Sequence, residues 1–364
     1  MKIFLLLFYF IFSTLLAQSP IISFAYSNNG EYLFSGHKDG SVALWNLLES
    51  RIEWIKFDQS SPVTSVDVST EFKDVLIYSN RDGQIVSRDK DGNIYFKKQI
   101  IMDGSVNSAS LTYGGEYIIA SGQDSLVHVL DSITGTLLSY FYQKSTSAAN
   151  INRAFIDEKN KYYVTGHSDG MVKIWDLSKI QDSNTNQMIH TEKFSKYGIS
   201  SISIDSTSEI LAIGAGNRLF LYSIDYKYLL SRSKVPSPTR SIDFRPNHKN
   251  LLTSHHDRFI YWDYYINNKL KLYDKKKDIH GDYVSRAMYY PYNDLNLIIS
   301  SGHDGSIKIF DIDNYDLKAE LVCDKDNGWI IIGENGLFNG EGSIINKYKE
   351  RAYTLDNNIL KDLF

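Results

Sequence analysis

Apolar residues along this chain fall into runs of about five or alternate with polar ones, and turn residues close each run. The pattern starts over at regular intervals. A Gly-containing turn such as Asn29-Gly30-Glu31 or Gly114-Gly115-Glu116 leads into an apolar strand, Tyr32-Leu33-Phe34 or Tyr117-Ile118-Ile119. Asp-Gly at 39–40, 82–83, 169–170 and 304–305 then predicts tight hairpins, because Gly takes a positive φ without a Cβ clash. The strand that follows is buried in pattern, as in Val42-Ala43-Leu44-Trp45 or Met171-Val172-Lys173-Ile174-Trp175. A looser, more polar strand completes each set, for instance Arg51–Phe57, Asn93–Lys98 and Lys318–Cys323.

The position ending the buried strand falls at 45, 88, 130, 175, 222, 262 and 310, a mean step of about 44 residues. A period of that length with four strands in each copy predicts an all-β chain. The expected architecture is a seven-bladed β-propeller, four antiparallel strands per blade, with Trp45, Trp175 and Trp262 between blades. Prolines 20, 62, 236, 238, 246 and 291 all lie before or between predicted strands, where a missing N–H does least harm. At 43% apolar residues the chain can bury a large core, and nothing in it is of low complexity.

The segments Ser35-Gly36-His37-Lys38-Asp39-Gly40 to Trp45-Asn46, Thr165-Gly166-His167 to Trp175-Asp176, and Ser301-Gly302-His303-Asp304-Gly305 to Phe310-Asp311 resemble the WD-repeat family. The resemblance covers residues 21–323. In the last copy, His280-Gly281-Asp282-Tyr283-Val284 is similar to the family's histidine-led approach to the innermost strand. The family implies a hydrogen-bonded set of His, Ser or Thr, Asp and Trp within a blade. Carried over, that set is His280, Ser301 and Asp304, with Phe310 in place of Trp and therefore no indole donor. Because Arg88 stands at the aromatic position of the second copy, the blades are expected to rely on apolar packing more than on this network.

The N-terminus reads as an address. Met1-Lys2, the apolar run Ile3–Leu16 and the small residue Ala17 have the layout of a signal peptide over residues 1–17, too short to span a bilayer comfortably. This leaves residues 18–323 as propeller and 324–364 as a C-terminal hairpin or tail that packs on it or links onward. The expected location is the periplasm or outside the cell, with an N-terminal membrane anchor as the alternative. Cleavage would leave no stable membrane span. The formal charge is −4, one more negative without Lys2, which gives no electrostatic reason to bind nucleic acid. The single Cys323 cannot form an internal disulfide and sits in a predicted outer strand as a buried thiol. An exported chain without disulfides fits a bacterial envelope.

Candidate chemistry is sparse. His37, His167 and His303, with His255 and His256, lie in turns that gather on one propeller face, and the first three mark a possible partner face. Metal binding is disfavoured because no Cys pair or helical His pair supports it. Asp39, Asp82, Asp124, Asp169, Asp257 and Asp304 read as hairpin residues bonding their own turn amides. Tyr261-Trp262-Asp263-Tyr264-Tyr265 and Tyr289-Tyr290 read as core packing between blades. The sequence holds no phosphate loop or H-E-x-x-H, and no catalytic, cofactor or metal residue is assigned.

The tail, Trp329-Ile330-Ile331-Ile332-Gly333-Glu334-Asn335-Gly336-Leu337-Phe338, reads as a hairpin around Asn335-Gly336. It looks like the segment after the propeller in bacterial WD-repeat proteins fused to caspase-like peptidases, although residues 324–364 leave no room for that peptidase. Two kinds of function follow. The preferred one is an exported noncatalytic scaffold for a protein or peptide partner. The alternatives are a propeller enzyme or metal-binding propeller using a polar face, or a regulatory partner of a caspase-like peptidase encoded elsewhere.

Overall fold

In the computed structural model, the described residues are 18–364 except 28, 70–72, 142–148, 181–187, 247, 264–269, 278, 291, 293–294, 350, 353 and 362. The segment 1–17, read above as a signal peptide, lies outside them. Successive hairpins build four-stranded antiparallel sheets, the first from Ile21–Tyr26, Tyr32–His37, Val42–Asn46 and Arg51–Lys56. The innermost strands that follow are Val63–Ser69, Val106–Leu111, Ile151–Ile156, Ile199–Ile204, Ser241–Phe244 and Val284–Tyr289. Each lies against the next, and Val284–Tyr289 lies against Ile21–Tyr26, so the array closes as a ring around a channel.

The expectation of seven four-stranded blades is corrected: six sheets are four-stranded. Val284–Tyr289 begins a larger sheet of seven strands, called here the closing sheet. Its fourth strand, Leu317–Cys323, does not remain an outer edge. Trp329–Gly333 pairs antiparallel with it, Leu337–Glu341 pairs with that strand, and Thr354–Leu355 adds in parallel. The cause is local. Leu317–Cys323 offers a row of unpaired backbone groups, and the apolar run Trp329-Ile330-Ile331-Ile332 follows within a short turn. The tight turn at Asp324–Gly328 is held by Asp324, whose carboxylate accepts from Asp326 N at 3.0 Å and Gly328 N at 2.9 Å.

The apolar clusters lie between sheets. One joins the first and second sheets through Phe34, Leu44, Val66 and Tyr78, and another joins the third and fourth through Ile119, Phe141, Tyr163 and Trp175. Trp45 and Trp175 are buried at 1% and 2% exposure. The side chain of Trp262 is outside the described residues. The largest cluster spans the ring junction: Ile21, Phe24, Leu33 and Trp45 of the first sheet meet Ile299, Ile307, Leu321, Trp329 and Leu360. Here the residues after 323 reach across to the first sheet, where Ser50 O accepts from Asn339 Nδ2 and Ser50 Oγ from Leu360 N.

Trp329 fills the space between the two ends of the ring, so Trp329→Ala is expected to cost about 3–5 kcal/mol, the range for a large buried aromatic. Deleting residues 324–364 is expected to lower the melting temperature further and to produce self-association through the bared Leu317–Cys323 edge. Thermal unfolding with size-exclusion chromatography checks both. A truncated chain that melts like the parent and stays monodisperse contradicts this role for the tail.

Candidate binding face

The turns between second and third strands share one face with the loops leading into the innermost strands. Backbone bonds tie the two sets together: Lys38 N donates to Pro20 O, Arg81 N to Pro62 O, Ser168 N to Asn150 O and His303 N to Tyr283 O. Asp39, Asp124, Asp169 and Asp304 accept from their own turn amides at Ser41, Leu126, Met171 and Ser306. At the second turn Asn80 Oδ1 accepts from Asp82 N and Gln84 N, a task the sequence reading assigned to Asp82. Asp257 pairs with Arg258 instead.

Beneath these turns sits a buried imidazole. In the fourth sheet Trp175 Nε1 donates to Thr165 Oγ1 at 3.0 Å, and Thr165 Oγ1 lies 3.0 Å from His167 Nε2. His167 Nδ1 lies 3.1 Å from Ala149 O, which can only accept. Nδ1 therefore carries the proton and Nε2 takes the threonine proton. The same chain runs from Trp45 through Ser35 to His37, and from Thr253 through His255 to Ser237 O. Burial pushes the pKa of His167 and His255 down to about 4 and lowers that of His37 as well. His37 and His167 are thus closed inside their sheets, and the reading that placed them on a partner face is corrected for both. Only His303 of that trio is partly exposed.

The closing sheet fills the same slot from the other side. His280 comes from the incoming loop, with Nδ1 2.9 Å from Asp304 Oδ1 and Nε2 2.9 Å from Ser300 Oγ. The hydroxyl is Ser300, not the expected Ser301, whose Oγ is buried without a partner. Gly302 stands where the first, fourth and sixth sheets carry their histidine, and a Cβ there would overlap the His280 ring. Although burial opposes it, bonding to His280 and Ser306 holds the Asp304 carboxyl well below the usual range. Phe310 packs edge-on against Phe259. In the second sheet Arg88 replaces Trp, and its guanidinium pairs with Asp58, which also accepts from Tyr78 OH at 2.6 Å. The polar networks persist in several sheets beside the apolar packing that was expected to outweigh them.

The channel opens among these turns. Exposed Tyr283 lies between His256 and His303, ring centroids 3.8 and 5.5 Å away, with the Arg240 guanidinium 6.0 Å from its ring. A mouth cavity of about 530 Å³ adjoins this cluster, bounded by Asn107, Asn152, Arg153, Ser200, Arg240 and His256. Deeper in the channel, burial pushes Asp67 up to about 6 and Asp243 up to about 7, while each accepts a backbone N–H and faces Arg286. Of the mouth residues, only His256 and His303 are placed on this face by the sequence. The available signal was Arg at 153 and 286 on innermost strands, where the matching positions 23, 65, 108, 201 and 241 are Ser.

Among the described residues no group of three His, Cys, Asp or Glu is arranged around a metal, and no helix is long and apolar enough to cross a membrane. Cys323 is buried near His37, and burial raises its thiol pKa.

Residues 11–46 and 140–176 match the family described as WD domain, G-beta repeat. The chain is similar to autophagy-related protein 16 of Arabidopsis thaliana, 26% identical over 46% of this chain and 25% of that protein. It is also similar to striatin-3 of Mus musculus, 23% over 63% and 31%, and to pre-mRNA-processing factor 19 of Dictyostelium discoideum, 26% over 55% and 48%. The chain therefore spans between a quarter and a half of the length of these curated relatives. A chain in the crystal structure of the mitotic checkpoint complex superimposes with a TM-score of 0.69 at 15% identity, over 82% of this chain and 94% of that one, a likeness of fold. Together these findings support a WD-repeat propeller.

The buried imidazoles set a pH dependence. His167 and His255 titrate near 6.5 when unfolded and about 4 when folded, so their stability is present above 6.5 and lost as pH falls through 4. Asp67 and Asp243, raised on folding, act oppositely and favour the fold as pH drops below about 7. Replacing both histidines by glutamine should remove their share of the first effect and leave that of His37 beside the second. The variant's melting temperature is expected to fall less than the parent's between pH 6.5 and 4; parallel curves would contradict the assignment.

Proposed function

We propose that this chain is an exported, noncatalytic WD-repeat scaffold that holds a protein or peptide partner at the channel mouth. One observation carries the reading: Tyr283, His256, His303 and Arg240 form an exposed aromatic and basic cluster beside a mouth cavity of about 530 Å³. Aromatic side chains with a guanidinium at a concave rim are the residue types that dominate protein interfaces. The noncatalytic part of the reading is supported by what the hydroxyl–imidazole pairs already do. Thr165–His167 and Ser35–His37 are buried, each hydroxyl takes a Trp N–H, and none borders the mouth cavity. The acidic balance of the chain supports a polypeptide partner over nucleic acid. Export is supported by the layout of residues 1–17.

The test is selection of a random peptide library on the intact protein, followed by binding of the enriched peptides to a Tyr283→Ser, His256→Ser variant. The expected result is a loss of at least about tenfold, as for truncation of interface anchors. Peptides that bind parent and variant equally would place the interface elsewhere.

A further inference from the structure

Most polar side chains on the innermost strands bond the neighbouring strand. Ser65 and Asp67 accept from Ala109 N and Leu111 N, and Ser241 and Asp243 accept from Ala287 N and Tyr289 N. Asn107 donates to Ile151 O at 2.7 Å and Asn152 to Ile199 O at 3.3 Å. Arg286 donates to Phe24 O at 2.8 Å across the ring junction, with Asp243 and Asp67 as its counter-charges. Two cations remain. Arg153 occupies the register position of Arg286, yet among the described residues its one side-chain hydrogen bond goes to Asn152 O, the carbonyl of its own neighbour. The Arg240 side chain has, among the described residues, only the Tyr283 ring. Neither pairs with a carboxylate among the described residues.

Both guanidiniums border the mouth cavity, and no Asp or Glu does. The channel's acidic groups lie deeper: Asp67 and Asp243 toward the far ends of their strands, Asp157 and Glu158 past the end of Ile151–Ile156. Arg153 and Arg240 also line this deeper cavity, so they stand where the acidic channel opens into a mouth lined by no carboxylate among the described residues. Arg153 is exposed to the channel, and enclosure by the surrounding sheets, then the charges of Arg240 and Arg286, lower its pKa. Extending the mouth-binding reading on which it rests, we propose that Arg153 and Arg240 receive an oxyanion, a carboxylate or phosphoryl group on the side chain of a partner peptide. Two forked guanidiniums on opposite sides of the Ile199–Ile204 strand can each donate two N–H groups to such a group, and His256 lies at the same wall.

The experiment measures fluorescence anisotropy of three labelled peptides at low salt: decaglutamate, a neutral peptide bearing one phosphoserine, and the same peptide with serine. The proteins are the intact parent, Arg153→Gln, Arg240→Gln and, as a control on an exposed outer strand, Arg232→Gln. The parent is expected to bind at least one anionic peptide tenfold or more above the neutral one, and the peptide preferred tells carboxylate from phosphoryl. Arg153→Gln and Arg240→Gln each lose tenfold or more, and Arg232→Gln stays within twofold. Equal binding of all three peptides, or an equal loss in Arg232→Gln, overturns the proposal. Library-selected peptides that require Tyr283 but are neutral and indifferent to Arg153→Gln and Arg240→Gln overturn the oxyanion and leave the mouth as the interface. Selected peptides indifferent to Tyr283 overturn the mouth itself.

Discussion

The innermost strand of every sheet has a neighbour on one side only, so its other backbone edge faces the channel. A propeller therefore presents a ring of open edges at its centre, and a buried N–H or C=O left unpaired there costs about 1–3 kcal/mol. This chain meets the constraint with side chains of the preceding strand. Ser65, Asp67, Ser241 and Asp243 accept from N–H groups, while Asn107, Asn152 and Arg286 donate to carbonyls. These bonds hold the sheets at a fixed spacing, and the apolar clusters between sheets close on that spacing. They also explain why a β-strand can carry so many polar residues on a face that is not bulk solvent.

A second constraint acts at the turns. Each turn must be held over an incoming loop, and an imidazole does this in four sheets by bridging a strand hydroxyl to a loop carbonyl or turn carboxylate. The imidazole comes from the turn at His37, His167 and His255, and from the loop at His280. Gly302 and His280 are complementary: one vacates the volume that the other fills. Where the slot is lost, as in the second sheet, Arg88, Tyr78 and Asp58 form an alternative buried polar group.

Strands and hairpins were legible because Asp-Gly turns and apolar runs are local signals. What failed was non-local. Whether Leu317–Cys323 stays an edge depends on where Trp329–Gly333 folds back, and a repeat period carries no information on that. The choice of Ser301 over Ser300 was a slip of one residue. The Gly-His pair at 302–303 invites alignment with 36–37, whereas Val284 pairs with Gly302 as Ile21 pairs with His37. Counting back from Asp304-Gly305 instead of from Gly-His finds Ser300 opposite Ser35. The histidines looked like surface groups because a turn residue and a residue folded beneath a turn have the same spacing. Arg153 and Arg240 stood out only once Asp67, Asp243 and Arg286 on the channel wall were seen to bond the neighbouring strand.

The channel holds polar residues that close the ring and others that close nothing. Unfolding free energies in urea for two pairs of variants test the division directly. Ser65→Ala and Ser241→Ala each leave a buried N–H without its acceptor and are predicted to lose about 1–3 kcal/mol. Arg153→Gln and Arg240→Gln remove cations that hold no neighbour and are predicted to leave stability unchanged or higher. If the arginine variants are destabilised as much as the serine variants, both groups serve the fold and the mouth carries no reserved charge.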